Sequence, residues 1–229
     1  MSKRGQRVHD AAAYLLHATD WRETSLVVQV FSRAHGNLAL VAKGAKRPYS
    51  VLRPVLLAFQ PLGLSWSGAG EVKTLTHAEC AGIRPLAGRA YMSAWYMNEL
   101  LLRLLPREDP HPLLYDAYDA ALSQLAQLAT GSRPLASLIP ATDAGLPVEP
   151  EQDMSGQPVI PTRPSAAGAL RRFEWILLNE TGYGMGNEAP DFDDPALEPE
   201  LRQALRARLN ELLERPLLTR KVLMELQRY

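Results

Sequence analysis

The densest run of chemistry-bearing residues in this chain is Lys43-Gly44-Ala45-Lys46-Arg47, with Arg53 close behind. Cations gathered around a loop neutralise the phosphates of a nucleic-acid backbone, and Arg22 and Lys73, on neighbouring hairpins, extend the set. The same residue types also make an ordinary solvated surface. Tyr49 and Trp66 bring rings that stack on bases, although Trp66 alternates with Leu62 and Leu64 and suits a core equally well. A second cluster, Asp191, Asp193 and Asp194, has the residue types of a divalent-metal site in a nuclease or phosphodiesterase. Against that reading, acids placed before a helix that starts near Pro195 complement the helix dipole, and two-metal sites draw their carboxylates from separate elements.

Other reactive patterns are missing from the sequence. It has no Gly-rich phosphate loop ending in Lys-Ser/Thr, no Gly-x-Ser-x-Gly elbow and no His-Glu-x-x-His helix. His9, His17, His35, His77 and His111 are scattered singly, as surface or turn residues are. The lone Cys80 excludes an intrachain disulfide and a four-thiolate zinc site.

The basic residues fall among strand patterns. Leu26, Val28 and Val30 alternate with Val27, Gln29 and Phe31, His35-Gly36-Asn37 turns the chain, and Leu38, Leu40 and Ala42 alternate again before Lys43. Leu62, Leu64 and Trp66 open a second hairpin that turns at Gly68-Ala69-Gly70 and returns through Glu71 to Thr76. With the run at Ala13 to His17 this makes five short strands, the number in an OB-type barrel. After Pro85 the period becomes helical. Arg89 to Leu105 ends at Pro106, and Leu114, Tyr118, Ala121, Leu125 and Leu128 form one stripe; the two segments are expected to pack as a helical pair. Residues 130 to 168, with seven prolines, read as a linker or surface insert. Helical spacing resumes at Leu170, Phe173, Ile176 and Leu177, stops at Thr181-Gly182, and returns at Leu201, Leu205, Leu209 and Leu212. A short amphipathic tail, Leu217 to Arg228, carries Arg220 and Lys221. The fold class expected is therefore α+β, an N-terminal OB-fold β-barrel over residues 1–82 followed by an all-α helical domain over 83–229.

Across 229 residues, 25 basic side chains balance 25 acidic ones, a total that taken alone argues against a nucleic-acid partner. The balance is uneven along the chain. Residues 1–80 hold ten Lys and Arg against five acids, an excess of +5 that the remainder must cancel. A basic module beside an acidic or balanced one is the pattern of a binding domain joined to a second unit. The weak apolar run at Ala11 to Leu16 is cut by Asp10 and His17, too short for a signal peptide, and no stretch approaches the roughly 18 apolar residues of a membrane span. A cytoplasmic protein with no membrane partner is expected.

Several ordered motifs resemble the bacterial RecO family of recombination mediators. They are Leu15-Leu16-His17 through Arg22-Glu23-Thr24-Ser25-Leu26, Phe31-Ser32-Arg33, Gly36-Asn37-Leu38, Leu40 through Arg47, and Gly70 through Leu75. Further along, Tyr96 to Leu101, Leu170-Arg171-Arg172-Phe173-Glu174, Gly182-Tyr183-Gly184 and Arg215 to Lys221 are similar to the family's helical part. The resemblance implies an OB-fold and a helical domain. It also implies a non-enzymatic function: binding single- and double-stranded DNA, annealing complementary strands, and promoting RecA loading onto strands coated by single-stranded DNA-binding protein (SSB), in company with RecR and RecF. By the same resemblance Arg22, Arg33, Lys43, Lys46, Arg47 and Lys73 bind phosphates. Arg171, Arg172 and Arg103 are the candidates for the acidic, Phe-ended SSB tail, which needs an apolar pocket and a guanidinium. Many relatives carry a Cys-x-x-Cys zinc module after Gly-Tyr-Gly; this sequence does not, so no zinc or other cofactor is expected.

Overall fold

The computed structural model describes residues 6–130, 164–186, 188–213 and 215–219. The proline-rich stretch from 131 to 163, and Arg220 and Lys221 of the tail, lie outside the described residues. Five strands, β1 (Gln6–Trp21), β2 (Ser25–Ser32), β3 (Gly36–Ala42), β4 (Pro61–Gly68) and β5 (Val72–Cys80), precede four helices, α1 (Gly88–Leu104), α2 (Pro112–Thr130), α3 (Ala166–Glu180) and α4 (Glu198–Leu212). The strands close a barrel in the order β1-β2-β3-β5-β4, with β3 and β5 parallel and every other pair antiparallel. This is the five-stranded OB arrangement expected from the strand patterns. No helix among the described residues is long and apolar enough to cross a membrane.

One strand does double duty in closing the barrel. β1 runs 16 residues, well beyond the expected Ala13 to His17, and pairs with β4 through its first half and β2 through its second. Register shifts at Val8/Ala11 and Leu15/His17 provide the bends, as bulges do in closed sheets. The second bulge skips Leu16 in the β1–β2 register. Its carbonyl instead accepts the side-chain amide of Asn98 on α1 at 2.9 Å, and Tyr118 of α2 donates its hydroxyl to the same side chain. Asn98 is fully buried, so these bonds satisfy groups that would otherwise be costly to bury.

Where the helices cover the barrel its strands are apolar on both faces, whereas β5 and the end of β1 turn exposed residues outward. Ala13, Leu15, Val28, Val30, Leu38, Leu40, Leu62, Leu64 and Trp66 fill the barrel interior. The intervening Tyr14, Leu16 and Phe31, with Phe59 from the β3–β4 loop, join the helices in one continuous core. Tyr14 and Phe31 meet Tyr115 and Tyr118 of α2 in tilted and edge-to-face ring contacts 5.0–6.4 Å apart. Burying Phe31 alone stabilises by roughly 1.5–3 kcal/mol relative to leaving it exposed. Around this patch Tyr14 donates to Asp119, whose carboxylate also takes Arg84 at 2.7 Å. Burial, and then the bond to Asp119, pushes the Tyr14 phenol well above its usual range.

The helices depart from the expected arrangement in detail. α2 packs most extensively on α3, while α1 sits between α2, α3 and β1. The stripe through Leu114, Tyr118, Ala121 and Leu125 is buried, whereas Leu128, the last of the expected set, is exposed. The expected insert ends earlier than 168: Ser165 caps α3 by accepting from Gly168 N–H at 2.8 Å. At the other end Gly182, φ +82, completes a Schellman cap in which Gly182 donates to Asn179 and Tyr183 to Leu178.

Gly36 fixes how the barrel meets the α1–α2 loop. Its φ is +67, a Cβ added there would fall 2.1 Å from the Asp109 carbonyl oxygen, and the next residue accepts Glu108 N–H at 2.9 Å. Gly36→Ala is expected to destabilise by about 3 kcal/mol or more, combining left-handed strain with a backbone clash. Gly44, φ +71, has only the Arg47 side chain at 3.5 Å beside its missing Cβ. Gly44→Ala should therefore cost only about 1–2 kcal/mol of strain. Urea midpoints of the two variants, read with an unchanged m-value, check the difference.

Candidate nucleic-acid interface and arginine cleft

The β1–β2 turn and the start of the β3–β4 loop face each other across a cleft of about 900 Å³. Arg22 enters from the turn, Lys43 and Arg47 from the loop, and Trp21, Glu23, Val41 and Thr74 complete the wall. Arg22 sits at φ +52, a strained position for an arginine, and its guanidinium lies 5.9 Å from the centre of the Trp21 ring. Among the described residues no acid pairs with Arg22, Lys43 or Arg47. Their charge is open to a ligand of phosphate type, and OB barrels present this face and the β1–β2 loop to nucleic acid.

The other three cations in the expected set stand apart from this group. Lys46 bonds Asp20 at 2.7 Å, and its backbone N–H ties the loop to Thr24 at 2.9 Å. Lys73, only 12% exposed, pairs with Glu108 of the α1–α2 loop. Arg33 makes a two-pronged pair with Asp116 of α2, both bonds 2.8 Å; the bond holds the Asp116 carboxyl below its ordinary value and the Arg33 guanidinium above its own. Trp66 is 2% exposed in the barrel core, its ring edge-on to His35, and offers no stacking face. Tyr49 is fully exposed on the β3–β4 loop but does not line the cleft. Trp21, which does line it, carries no strong sequence signal: it lies beyond the strand expected at Ala13 to His17 and belongs to no alternating run.

The acidic cluster serves the protein's own backbone. Asp193 accepts from Ser165 N–H at 2.9 Å and takes Arg172 at 3.1 Å. Asp191 accepts Asp193 N–H at 3.0 Å, and Asp194 accepts Ala196 N–H at 2.8 Å. The helix expected at Pro195 begins at Glu198, so the acid that was expected to face that helix instead closes the start of α3. A Cβ on Gly168 would lie 2.1 Å from Asp193 Oδ1, which shows how closely the loop is drawn in. The three carboxylates do not converge, and among the described residues no group of three His, Cys, Asp or Glu could hold a metal ion.

A second cleft, of about 430 Å³, opens between α1, α3, α4 and residues 215–219. Arg171 and Glu174 lie on its floor, Leu209, Leu213 and Leu217 give it apolar surface, and Arg202, Arg206 and Arg215 stand at its rim. Glu174, 2% exposed, accepts the Tyr96 hydroxyl at 2.6 Å, while its other oxygen lies 3.2 Å from Arg171 without accepting a hydrogen bond. Burial raises the Glu174 carboxyl above its ordinary value, with Arg171 and Tyr96 pulling it back only in part. No acid among the described residues pairs with the three rim arginines.

Of the three arginines expected to hold an acidic tail, only Arg171 lines this cleft. Arg172 is turned to Asp193 and lies 5.4 Å from the centre of the Phe192 ring. Arg103 bonds Glu99 at 2.6 Å and the carbonyls of Arg215 and Pro216, and lines a neighbouring hollow with Leu212, Leu213 and Arg215. Glu99 in turn accepts the backbone N–H groups of Leu218 and Thr219. Burial works to raise its carboxyl, but the backbone bonds from Thr219 and Leu218, the Thr219 hydroxyl and Arg103 outweigh that and hold it below its ordinary value. Arg202 and Arg206 went unnoticed in the sequence; their spacing of four on one helix face is the signal that finds them.

Family models for "Recombination protein O N terminal" and "Recombination protein O C terminal" match residues 7–84 and 86–139. A "DNA repair protein RecO" from Aromatoleum aromaticum is 46% identical over 85% of this chain, which spans 66% of that relative's length. A protein of the same name from Ralstonia nicotianae is 40% identical over 97% of this chain and 86% of its own length. One from Polynucleobacter asymbioticus is 38% identical over 97% of this chain and 98% of its own.

Proposed function

Since the chain belongs to the RecO family of DNA repair proteins, we propose that the barrel cleft holds single- and double-stranded DNA by its phosphates and anneals complementary strands. The observation that carries this reading is the convergence of Arg22, Lys43 and Arg47, unpaired with any described acid, on one side of an OB barrel. Annealing needs no catalytic side chain: two strands on one cationic surface repel each other less and meet at higher local concentration. With RecR, such a surface would hand strands released from SSB to RecA. A titration of labelled DNA across salt concentrations tests it, the signature being a steep linear fall of log K with log salt.

The arginine cleft is proposed as the seat of the acidic SSB tail. An aromatic ring would pack on the apolar surface of Leu209, Leu213 and Leu217, and the rim guanidinium groups would meet the carboxylates. Replacing Arg202, Arg206 and Arg215 by alanine should weaken binding of a fluorescein-labelled acidic peptide ending in Phe by at least roughly tenfold, since a hydrogen bond to a charged group contributes about 1.5–3 kcal/mol. Binding of naked DNA should be unchanged. Loss of both would show instead that the helical part had unfolded.

A further inference from the structure

Trp21 stands at the last paired position of β1, opposite Ser25, where the chain turns towards β2. It is 48% exposed, although a ring of this size is normally covered. Single exposed apolar residues are common, so exposure alone assigns nothing. Its position does: the half-exposed indole lines the same cleft as Arg22, Lys43 and Arg47. The strained turn at Arg22 brings a guanidinium to 5.9 Å from the ring centre, which keeps a cation and an aromatic surface side by side. Backbone strain of this kind persists where the surrounding structure holds it, and it gathers at ligand-binding turns. Trp66 is sealed in the barrel and Tyr49 lies away from the cleft, so among the described residues Trp21 is the aromatic ring this cleft presents.

We propose that the Trp21 indole is the base-stacking surface of the barrel cleft and makes that cleft favour unpaired strands over duplex. The proposal rests on the reading of the cleft as a DNA site. In a duplex both faces of each base are already stacked, so phosphates and groove edges are offered to the protein but no ring face. In a single strand a base can leave its neighbours and lie on the indole while its phosphates meet the three cations. The cations then set overall affinity and salt dependence, and the ring sets the choice between strand types.

Trp21→Leu keeps an apolar side chain at the hairpin end but removes the aromatic face. Binding of a labelled oligo-dT should fall by roughly 5- to 150-fold, the worth of one base stacked on an aromatic ring. A labelled duplex of equal length should bind within about twofold of the unaltered protein, and the salt slope should not change, because stacking releases no counterions. Trp21→Phe should recover most of the loss. A proportional loss for both DNA forms, or no loss for either, overturns the proposal. If the unaltered protein binds neither form, the DNA reading of the cleft falls as well. If Arg47→Ala weakens both forms while Trp21→Leu weakens neither, the cleft is a DNA site and this proposal alone is wrong.

Discussion

Replacing Arg22, Lys43 and Arg47 together with alanine is expected to lower DNA affinity about a hundredfold at 0.1 M salt and to flatten its salt dependence. Each phosphate contact contributes a slope of roughly 0.7 on single strands and 0.9 on duplex, so losing three reduces the slope by about 2 and nearly 3 respectively. The effect should be uniform across sequences, since the contacts are to phosphates. Stability should barely change, because none of the three cations is paired with a described acid and no ion pair is broken. A matched triple variant, Arg33→Ala with Lys46→Ala and Lys73→Ala, is the informative comparison. Those cations already face Asp116, Asp20 and Glu108, and a phosphate reaching them must displace a carboxylate. Its slope should move by less than half as much. An unchanged slope in the first variant, with a normal melting temperature, would place the phosphate contacts elsewhere.

The outcome depends on pairings that strand and helix periodicity cannot express. Alternation at Leu26, Val28 and Val30 and at Leu38, Leu40 and Ala42 was enough to read a barrel, because inward positions must be apolar whatever surrounds them. The outward-facing apolar residues Tyr14 and Leu16 of β1 and Phe31 of β2 blur that alternation, and their cause lies far along the chain in the helices that cover them. The loop cations were legible as a group because Lys43, Lys46 and Arg47 are neighbours in sequence. What divides them is long-range. Arg33 meets Asp116 across 83 positions and Lys73 meets Glu108 across 35, and no local pattern marks either acid as a partner. Asp193 is a similar case: beside a coming helix it reads as a dipole partner for α4, whereas the chain folds back and delivers it to Ser165, 28 positions earlier. The arginine cleft draws its lining from α1, α3, α4 and the segment after α4. Sequence supplied only Arg171 of that set, through a motif resemblance rather than through spacing.

Arg171→Ala is expected to cost about 3–5 kcal/mol of stability, the usual loss when one member of a buried ion pair is removed. For a chain of this size that corresponds to a fall in melting temperature of roughly 6–20 °C. Glu174 is the reason. Its side chain is 2% exposed, and Arg171 is its nearby counter-charge, with Tyr96 its one strong hydrogen-bond donor. Without the guanidinium the carboxylate is left charged and almost wholly shielded from solvent, with no counter-charge beside it. Burial already raises the Glu174 carboxyl, and losing Arg171 raises it further. A carboxyl raised in the folded state and ordinary in the unfolded one binds more protons when folded, so its contribution to stability is full below the unfolded value and is lost as pH rises through the folded one. The deficit of Arg171→Ala should therefore be largest at neutral pH and shrink in mild acid, where Glu174 is neutral. A deficit equal at both pH values would trace the loss to packing around the guanidinium. Replacing the pair together, Arg171→Met with Glu174→Leu, should leave stability near that of the unaltered protein, because no unpaired charge remains. The same reasoning selects the rim for any test of peptide binding: Arg202, Arg206 and Arg215 can be removed without stranding a buried charge, whereas the effect of removing Arg171 on the cleft would be confounded with a weakened fold.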